Sequence, residues 1–221
     1  HRQRQYLWPH RPTSWRAALQ SGRDHCGGIA NCKRACAPYG ALTALDVGPL
    51  GELLEPSGTL AFEDAVSEYA RIVRAGAAAG ADLIFFETFT DLYELKAALL
   101  AAKENSGLPI LASMSFEAGG RTFTGCTVES FGVTARGLGA NAVGINCSLG
   151  PKEIFPMAKR LAEAVPGDFR CSSSPMRACL GDGSGYDITP QLFAMEMKPT
   201  GNCICSRRAA AAAPRRSSSS C

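Results

Sequence analysis

The sequence predicts an α/β fold built on a parallel sheet, and three observations support this prediction. Short apolar runs, typical of buried strands, alternate along the middle of the 221-residue chain with segments of helical periodicity. The ends of successive apolar runs lie roughly 30 to 40 residues apart, which is the repeat of a βα unit with a right-handed crossover. Each run closes on polar residues, and together these are Asp46, Glu87, Thr88, Ser115, Asn146 and Cys147.

The first half of this pattern contains two strands and two helices. Residues 41–47 (ALTALDV) form a short apolar run that ends at the turn sequence GPLG. Residues 62–79 place apolar side chains at helical spacing and stop at a glycine. Residues 81–88 (ADLIFFET) predict a buried strand, and residues 91–107 predict a helix with Asp91 as its N-cap.

The second half repeats the alternation. Residues 108–116 (LPILASMSF) predict a strand, and residues 127–139 predict a helix that opens on Thr-x-Glu. Residues 140–147 (ANAVGINC) predict another strand, and residues 151–165 predict a helix with proline in its first turn. A loop and a helix are expected over residues 185–199.

Four βα units in series fit either a (β/α)₈ barrel of the TIM type or a doubly wound sheet. The chain has no G-x-G-x-x-G after its first strand, which counts against a dinucleotide-binding doubly wound sheet. In barrels, functional side chains lie at the C-terminal ends of the strands. We therefore expect a barrel, with Cys147 pointing into its mouth.

Composition narrows the classes of function. The net charge is only +3 and its basic excess lies mostly at the two ends, so we expect no nucleic-acid partner. No apolar run reaches the ~18 residues of a membrane span, so we expect no membrane association. The ten cysteines concentrate near the ends, and a chain able to bury an α/β core needs no disulfide framework. These features predict a reduced, cytoplasmic protein.

The flanks lie outside the βα pattern. Residues 1–24 show no usable periodicity and are expected to be irregular and non-native, and residues 25–199 are expected to hold the partial barrel. Within that range, residues 170–185 (RCSSSPMRACLGDGSG) have a low-complexity composition in which we expect no secondary structure. Residues 200–221 are expected to be a low-complexity tail.

Three stretches in order, LDVGPLGELLEPSGTL, ADLIFFETFTDLYELKAALLAAKE and GINCSLGP, resemble the homocysteine S-methyltransferase family. The likeness is strongest to the homocysteine-binding barrel of cobalamin-dependent methionine synthase. The resemblance implies a (β/α)₈ barrel that holds one zinc ion through three cysteine thiolates. The first of these is the cysteine of G-x-N-C, which is Cys147 here, and the other two are adjacent in a G-G-C-C-G-T strand end.

The resemblance also implies a reaction. Zinc bound by three thiolates keeps one open position, where the thiol of L-homocysteine binds, loses its proton and attacks the methyl donor to give methionine. Glu87 matches the acidic residue near the homocysteine amino group, and Asn146 would shape the pocket beside Cys147. Asp46 is a third candidate for substrate binding, with turn capping as its alternative role.

The sequence departs from the family pattern in two places. It contains no adjacent Cys-Cys pair, and it lacks the opening strand with its D-G-A-M/L-G-T motif. Cys203 and Cys205 form a C-x-C near the expected position of the missing pair, but they do not reproduce it. Without two further thiolates Cys147 cannot hold zinc tightly. We therefore expect an incomplete barrel, with its first strand missing and its C-terminal strands scrambled, and impaired activity.

A shift of reading frame would explain the unusual flanks. With a permitted choice of synonymous codons, residues 170–180 read from each third base give V-L-V-Q-P-N-A-G-L-P. Residues 208–217 treated in the same way give G-G-C-C-G-T-T-P-E, which contains the missing zinc motif. We hypothesise that the ends are frame-shifted translations, and the coding DNA tests this idea.

Alternatives remain open at three points. The methyl donor expected from the resemblance is methylcobalamin, with corrinoid or folate domains as partners, but a betaine or S-methylmethionine donor would need no cobalamin. The chain could instead be a non-catalytic, metal-free barrel fragment. Cys147 could also be a small buried apolar residue, which is the commonest fate of a free cysteine.

Overall fold

The computed structural model describes residues 22–147, 149–165, 170–174 and 189–197. Its helices are α1 (Gly22–Cys36), α2 (Phe62–Ala78), α3 (Leu92–Asn105), α4 (Val128–Gly137), α5 (Pro151–Ala164) and α6 (Pro190–Met197), and a 3₁₀ turn, Ala37–Tyr39, follows α1. Its strands are β1 (Ala44–Val47), β2 (Leu83–Phe89), β3 (Ile110–Met114), β4 (Ala142–Asn146) and β5 (Arg170–Ser174). Each helix and strand predicted between residues 41 and 165 is present, with ends that shift by no more than three residues.

The described strands form one sheet in the order β1-β2-β3-β4-β5. The β1/β2, β3/β4 and β4/β5 pairs are parallel, with Leu45 opposite Ile84 and Val143 opposite Cys171 in the register. This confirms the α/β fold with a parallel sheet. Along the described strands the spatial order follows the chain order, whereas a doubly wound sheet reverses its order at a switch point.

Strand β5 corrects one expectation. The composition of residues 170–185 predicted no secondary structure, but Arg170–Ser174 pairs with β4 over five residues. Strand pairing is made by the backbone, so a suitable neighbouring edge can override weak intrinsic strand propensity. The expectations for residues 1–21, 175–188 and 198–221, including Cys179, Cys203 and Cys205, lie outside the described residues.

The chain divides into two compact units. Unit 1 comprises His1–Phe86 and Tyr93–Ile110, and unit 2 comprises Glu87–Leu92 and Leu111–Cys221. In unit 1, α2 lies against β1, where Gly76 allows close approach: a Cβ there would lie 2.4 Å from Cδ2 of Leu45. The ring of Tyr69 on α2 packs edge-on against Phe86 of β2, with centroids 6.1 Å apart. Apolar burial of this kind is the main stabilising contribution to such a core.

Helix α1 is anchored to unit 1 by a charged contact. Its Lys33 ammonium lies 3.0 Å from the Asp82 carboxylate, which also accepts a 2.7 Å hydrogen bond from the Thr43 backbone N–H. The Thr43 bond and the Lys33 ammonium both hold the pKa of Asp82 below its ordinary value. Asp82 therefore ties α1 to the residues that precede β1 and β2.

In unit 2, α4 and α5 pack together over the sheet. The rings of Phe116 and Phe131 lie 6.0 Å apart, and both are buried. Gly132 of α4 faces Leu161 of α5 so closely that a Cβ would lie 2.6 Å from its Cδ1. No helix in the described part of the chain is both long enough and apolar enough to cross a membrane.

Candidate functional site

The candidate site lies in unit 2, where β2, β3 and β4 end. At its centre is Asn146, the last residue of β4, which is only 3% exposed. Its Oδ1 accepts hydrogen bonds from the Thr88 backbone N–H at 3.1 Å and from Ser113 Oγ at 2.9 Å. Its Nδ2 donates to Thr88 Oγ1 at 2.8 Å. Because the backbone N–H of Thr88 can only donate, these bonds also define which way the carboxamide faces.

Thr88 has an unusual backbone conformation. Its φ of 63° lies in the left-handed region, which costs an L-residue roughly 1–2 kcal/mol and is rare for a β-branched side chain. The consequence is visible along β2. Ile84 and Phe86 are fully buried, and strict alternation would bury Thr88 next, but Phe89 is buried instead. The turn at Thr88 therefore reverses the side-chain alternation just after Glu87.

Cys147 directly follows Asn146 and is exposed, with a φ of 53°. The carbonyl oxygen of Asn146, which belongs to the peptide joining these two residues, accepts a hydrogen bond from Ser115 Oγ at 2.8 Å. The alternative in which Cys147 is a small buried residue of the core is therefore wrong. Its thiol stands at the C-terminal end of a parallel strand, as the sequence predicts.

The two acidic candidates lie in different units. Glu87 is half-buried on β2 and belongs to unit 2, one residue before the left-handed Thr88. Asp46 is exposed on β1 of unit 1, where its register partner is Phe85. The hydrogen bonds between Thr88 and Asn146 bring together the segments that carry Glu87 and Cys147.

A cavity of about 370 Å³ opens beside this network. Its volume falls within the range of about 300–1,000 Å³ typical of small-molecule sites. Its lining residues are Thr90, Ser115, Phe116, Glu117, Ala118, Phe123 and Leu149. Ser115 joins the cavity to the network. Glu87, Asn146 and Cys147 are not among the lining residues.

The loop between β3 and α4 forms one wall of the cavity and is internally hydrogen-bonded. The Glu117 N–H donates to the Arg121 carbonyl at 2.8 Å, and Thr122 N–H donates to the Cys126 carbonyl at 2.8 Å. Thr124 Oγ1 donates to the Asp91 carboxylate at 3.0 Å. At the tip of this loop the Phe123 ring is 76% exposed, so an aromatic face is presented at the rim.

The cysteines do not form a zinc site within the described residues. No group of three or more His, Cys, Asp or Glu side chains there is arranged to hold a metal ion. Cys126 is half-buried and donates to the Thr127 carbonyl, while Cys32 and Cys36 belong to α1 in unit 1. A three-thiolate zinc site needs two more sulfur ligands beside Cys147. The described donor set does not fit one.

Ser113 is the member of this network that the sequence analysis did not single out. Thr88 and Ser115 were noted as polar strand ends, but their hydrogen bonds to Asn146 were not foreseen. The available signal was the pair of serines in LASMSF, which places hydroxyls inside an otherwise apolar strand. A buried hydroxyl needs a hydrogen-bond partner, and a neighbouring strand that ends on asparagine supplies one.

Comparison with known proteins supports the fold and identifies the family. The profile of the homocysteine S-methyltransferase family matches residues 16–212. The apo form of the homocysteine methyltransferase MmuM from Escherichia coli is similar in structure, with a TM-score of 0.54, 17% identity, and coverage of 81% of this chain and 74% of that one. Its metallated form gives a TM-score of 0.53 at 19% identity, over 72% of this chain and 68% of that one. Those identities establish a shared fold, and the profile match extends over most of the chain. The chain belongs to the homocysteine S-methyltransferase family.

Proposed function

We propose that the reaction of this fold is methyl transfer to the sulfur of L-homocysteine, giving methionine. The homocysteine S–H loses its proton, a new S–CH₃ bond forms, and the bond between the methyl group and its donor breaks with the electron pair leaving on the donor. The observation that carries the proposal is the exposed Cys147 at the end of β4 in a chain of this family. In the proposal the described strands are part of a (β/α)₈ barrel.

Charge complementarity gives Glu87 its proposed role. Homocysteine carries an ammonium group, and a carboxylate within a few ångströms favours the charged form of that group. Glu87 stands on β2 immediately before the turn that Asn146 holds, so its backbone position is well defined. Asp46 remains a second acidic candidate for substrate binding, carried by unit 1.

The proposal includes a zinc ion that activates the homocysteine thiol in the family's fold. The Escherichia coli MmuM structure in metallated form shows that a relative binds metal. In this chain the described residues supply one suitably placed thiol, that of Cys147, so a complete site would need cysteines from outside the described residues. We therefore propose that turnover by this chain is weak, because three thiolates are required to hold the ion firmly.

The donor in the proposal is methylcobalamin, presented by a corrinoid domain, with a folate domain as a further partner. The rival donors are betaine and S-methylmethionine, which are small cations and need no such domain. A cytoplasmic location, expected from the distribution of cysteines, stays part of the proposal.

The second candidate function is a non-catalytic, metal-free barrel fragment. The observation in its favour is the lack of a three-ligand cluster within the described residues. The two candidates differ in whether the Cys147 thiol is needed for zinc binding and methionine formation. They can therefore be separated by one substitution.

The experiment compares the unmodified chain, Cys147→Ala and Cys32→Ala. Cys32 is the matched control because its thiol is also exposed but lies on α1. Each protein is loaded with zinc, assayed for bound metal, and mixed with L-homocysteine and methylcobalamin, betaine or S-methylmethionine in turn. We expect weak zinc binding, well below one ion per chain, and slow methionine formation. Cys147→Ala should abolish both, and Cys32→Ala should leave both intact. Neither zinc nor methionine in any of the three proteins would establish the metal-free fragment instead.

A further inference from the structure

Protein groups occupy three of the four hydrogen-bonding positions of the Asn146 carboxamide. Of its four hydrogen-bonding positions, Oδ1 accepts from the Thr88 N–H and Ser113 Oγ, and Nδ2 donates one hydrogen to Thr88 Oγ1. The residue is 3% exposed. A substrate could reach at most one remaining N–H. Any role of Asn146 in shaping the pocket must therefore act through its hydrogen bonds to the protein and not through contact with the substrate.

Those bonds control two peptide groups. The Thr88 N–H belongs to the peptide that joins it to Glu87, and Asn146 Oδ1 holds it at 3.1 Å. The Asn146 carbonyl belongs to the peptide that joins it to Cys147, and Ser115 Oγ holds it at 2.8 Å. Each of these peptides leads into a residue with a left-handed backbone, Thr88 at φ 63° and Cys147 at φ 53°. Both turns are therefore anchored through one buried asparagine.

We propose that Asn146 is a positioning residue that, together with Ser115, holds the two left-handed turns presenting Glu87 and Cys147, without contacting substrate itself. The tasks of Glu87 and Cys147 rest on the proposed function. The geometric part does not, because it concerns only how the two strand ends are held. The coupling is local: one amide spans the ends of β2 and β4 through hydrogen bonds shorter than 3.2 Å.

The first test follows the orientation of Cys147 without any substrate. The native chain is alkylated with iodoacetamide, and the rates at Cys147 and Cys32 are measured by peptide mass spectrometry and expressed as a ratio. Ser115→Ala removes one hydrogen bond, whose loss is expected to shift this ratio by about two- to tenfold. Asn146→Ala removes three hydrogen bonds and is expected to shift the ratio at least as far. Ser130→Ala, an exposed serine on α4 in the same unit, is the control and should leave the ratio unchanged.

Ser115→Ala keeps the test decisive if Asn146→Ala fails to fold, because it deletes a single hydroxyl from a half-buried residue. An unchanged Cys147-to-Cys32 ratio in a folded Ser115→Ala protein, together with the same result or misfolding for Asn146→Ala, would overturn the proposal. A shifted ratio with the half-buried Cys126 still slow to alkylate supports it, since global loosening would expose Cys126 as well.

The second test asks whether a glycine can replace the anchor. Glycine adopts a φ near +60° without steric penalty, so Thr88→Gly should keep the turn when Asn146 no longer holds it. We expect Thr88→Gly to raise the folding equilibrium constant by about two- to tenfold more in the Asn146→Ala background than in the unmodified chain. An asparagine that only fills space predicts equal effects in the two backgrounds, and that result would overturn the proposal.

Calorimetric titration of L-homocysteine into the same variants separates the two levels of inference. If the unmodified chain binds homocysteine, Asn146→Ala should weaken binding and Thr88→Gly should restore part of it. If the unmodified chain does not bind homocysteine while the alkylation shift and the glycine rescue are observed, the proposed function fails and the positioning role of Asn146 stands.

Discussion

The buried carboxylate of Glu94 connects three segments of unit 1 through hydrogen bonds. Glu94, in the first turn of α3, is 4% exposed. Its Oε1 accepts hydrogen bonds from Tyr69 Oη at 2.8 Å and from the Leu50 N–H at 2.6 Å. Burial raises the pKa of Tyr69 well above its ordinary value, and the charge of Glu94 raises it further. The phenol therefore stays protonated as a donor, and the loop after β1 is held to α2 and α3.

Removing that phenol should be costly. In Tyr69→Phe the ring remains but Glu94 loses one of its donors, and hydrogen bonds to charged groups contribute about 1.5–3 kcal/mol. We expect the free energy of unfolding, measured by urea titration, to fall by about this amount. Tyr39→Phe is the matched control, because Tyr39 is 84% exposed and should show no change. Similar losses in both variants would show that the Glu94 contact is not stabilising.

Among the elements, α4 and α5 are joined by an ion pair. Arg160 Nε lies 2.6 Å from Glu129 Oε1, and its Nη2 lies 3.0 Å from Oε2. The hydrogen bond from Arg160 is the main reason that the pKa of Glu129 falls from 4.5 to about 2. The guanidinium also packs against Gly120, where a Cβ would lie 2.6 Å from Nη1. The pair thus connects two helices and the loop beside the cavity.

This pair predicts a specific pH dependence. A carboxylate whose pKa is lower in the folded state stabilises the fold above its unfolded pKa and stops doing so as the pH falls toward the folded pKa. The stabilisation from Glu129 should therefore be present at pH 7 and decline between about pH 4.5 and 2. Because both side chains are about 40% exposed, solvent screening limits the effect to about 1 kcal/mol or less.

The measurement compares urea midpoints of the unmodified chain and Glu129→Gln at pH 7 and pH 3. We expect the difference between the two proteins to shrink at the lower pH. Glu163→Gln is the control, since the exposed Glu163 lies 3.9 Å from Lys159 on the same helix and should have little effect at either pH. A Glu129→Gln difference that is independent of pH would contradict the assignment.

The contact between α2 and β1 predicts a steric effect. In Gly76→Ala the new methyl group would overlap Leu45, with three side-chain carbons closer than 3.0 Å. Overpacking of a buried site typically costs about 1–3 kcal/mol, partly offset by the better helix propensity of alanine. We therefore expect a lower thermal unfolding midpoint.

The matched control is Gly27→Ala on α1, where a Cβ would meet nothing within 4 Å. There only helix propensity acts, so the same substitution should raise stability by up to about 1 kcal/mol. Opposite signs at the two glycines are expected, and a stabilised Gly76→Ala protein would show that α2 can move away from β1 without loss.

For the whole molecule, the family profile matches residues 16–212, and within the described residues no three His, Cys, Asp or Glu side chains are grouped to hold a metal ion. In the frame-shift hypothesis, the cysteine pair that the family resemblance implies would lie in the alternative reading of residues 208–217. The hypothesis also has a consequence at β5, because the alternative reading of residues 170–174 is V-L-V-Q, and this segment forms a parallel strand. Parallel strands are usually rich in branched apolar residues.

Replacing residues 208–217 by GGCCGTTPE should therefore restore metal binding. Two adjacent cysteines together with Cys147 would provide the three thiolates that zinc requires. We expect close to one zinc ion per chain, measured by elemental analysis after dialysis, and less in the unmodified chain. The control replacement, GGSSGTTPE, should bind no more than the unmodified chain. Equal zinc content in the two replacements would rule out this segment as the source of the missing ligands.

Much of the fold was predictable because its determinants are local. The apolar run ADLIFFET and the helical periodicity of residues 62–79 predicted β2 and α2 nearly to their ends. The position of Cys147 at a strand end was also predictable, since it follows AVGIN directly. Strand β5 was not, because RCSSS has no strand signature of its own and forms a strand only against β4.

By itself the sequence determined the order of strands and helices between residues 41 and 165, the family, and the residues that close each of those strands, because hydrophobic periodicity and motifs are local properties of the chain. Only the tertiary structure decided that the Asn146 carboxamide is hydrogen-bonded to Thr88 and Ser113. It also decided that Thr88 and Cys147 adopt left-handed backbone conformations. Those features arise where the ends of separate strands meet. A threonine favours extended backbone by its own propensity, and only hydrogen bonds from residues distant in the chain can hold it in another conformation.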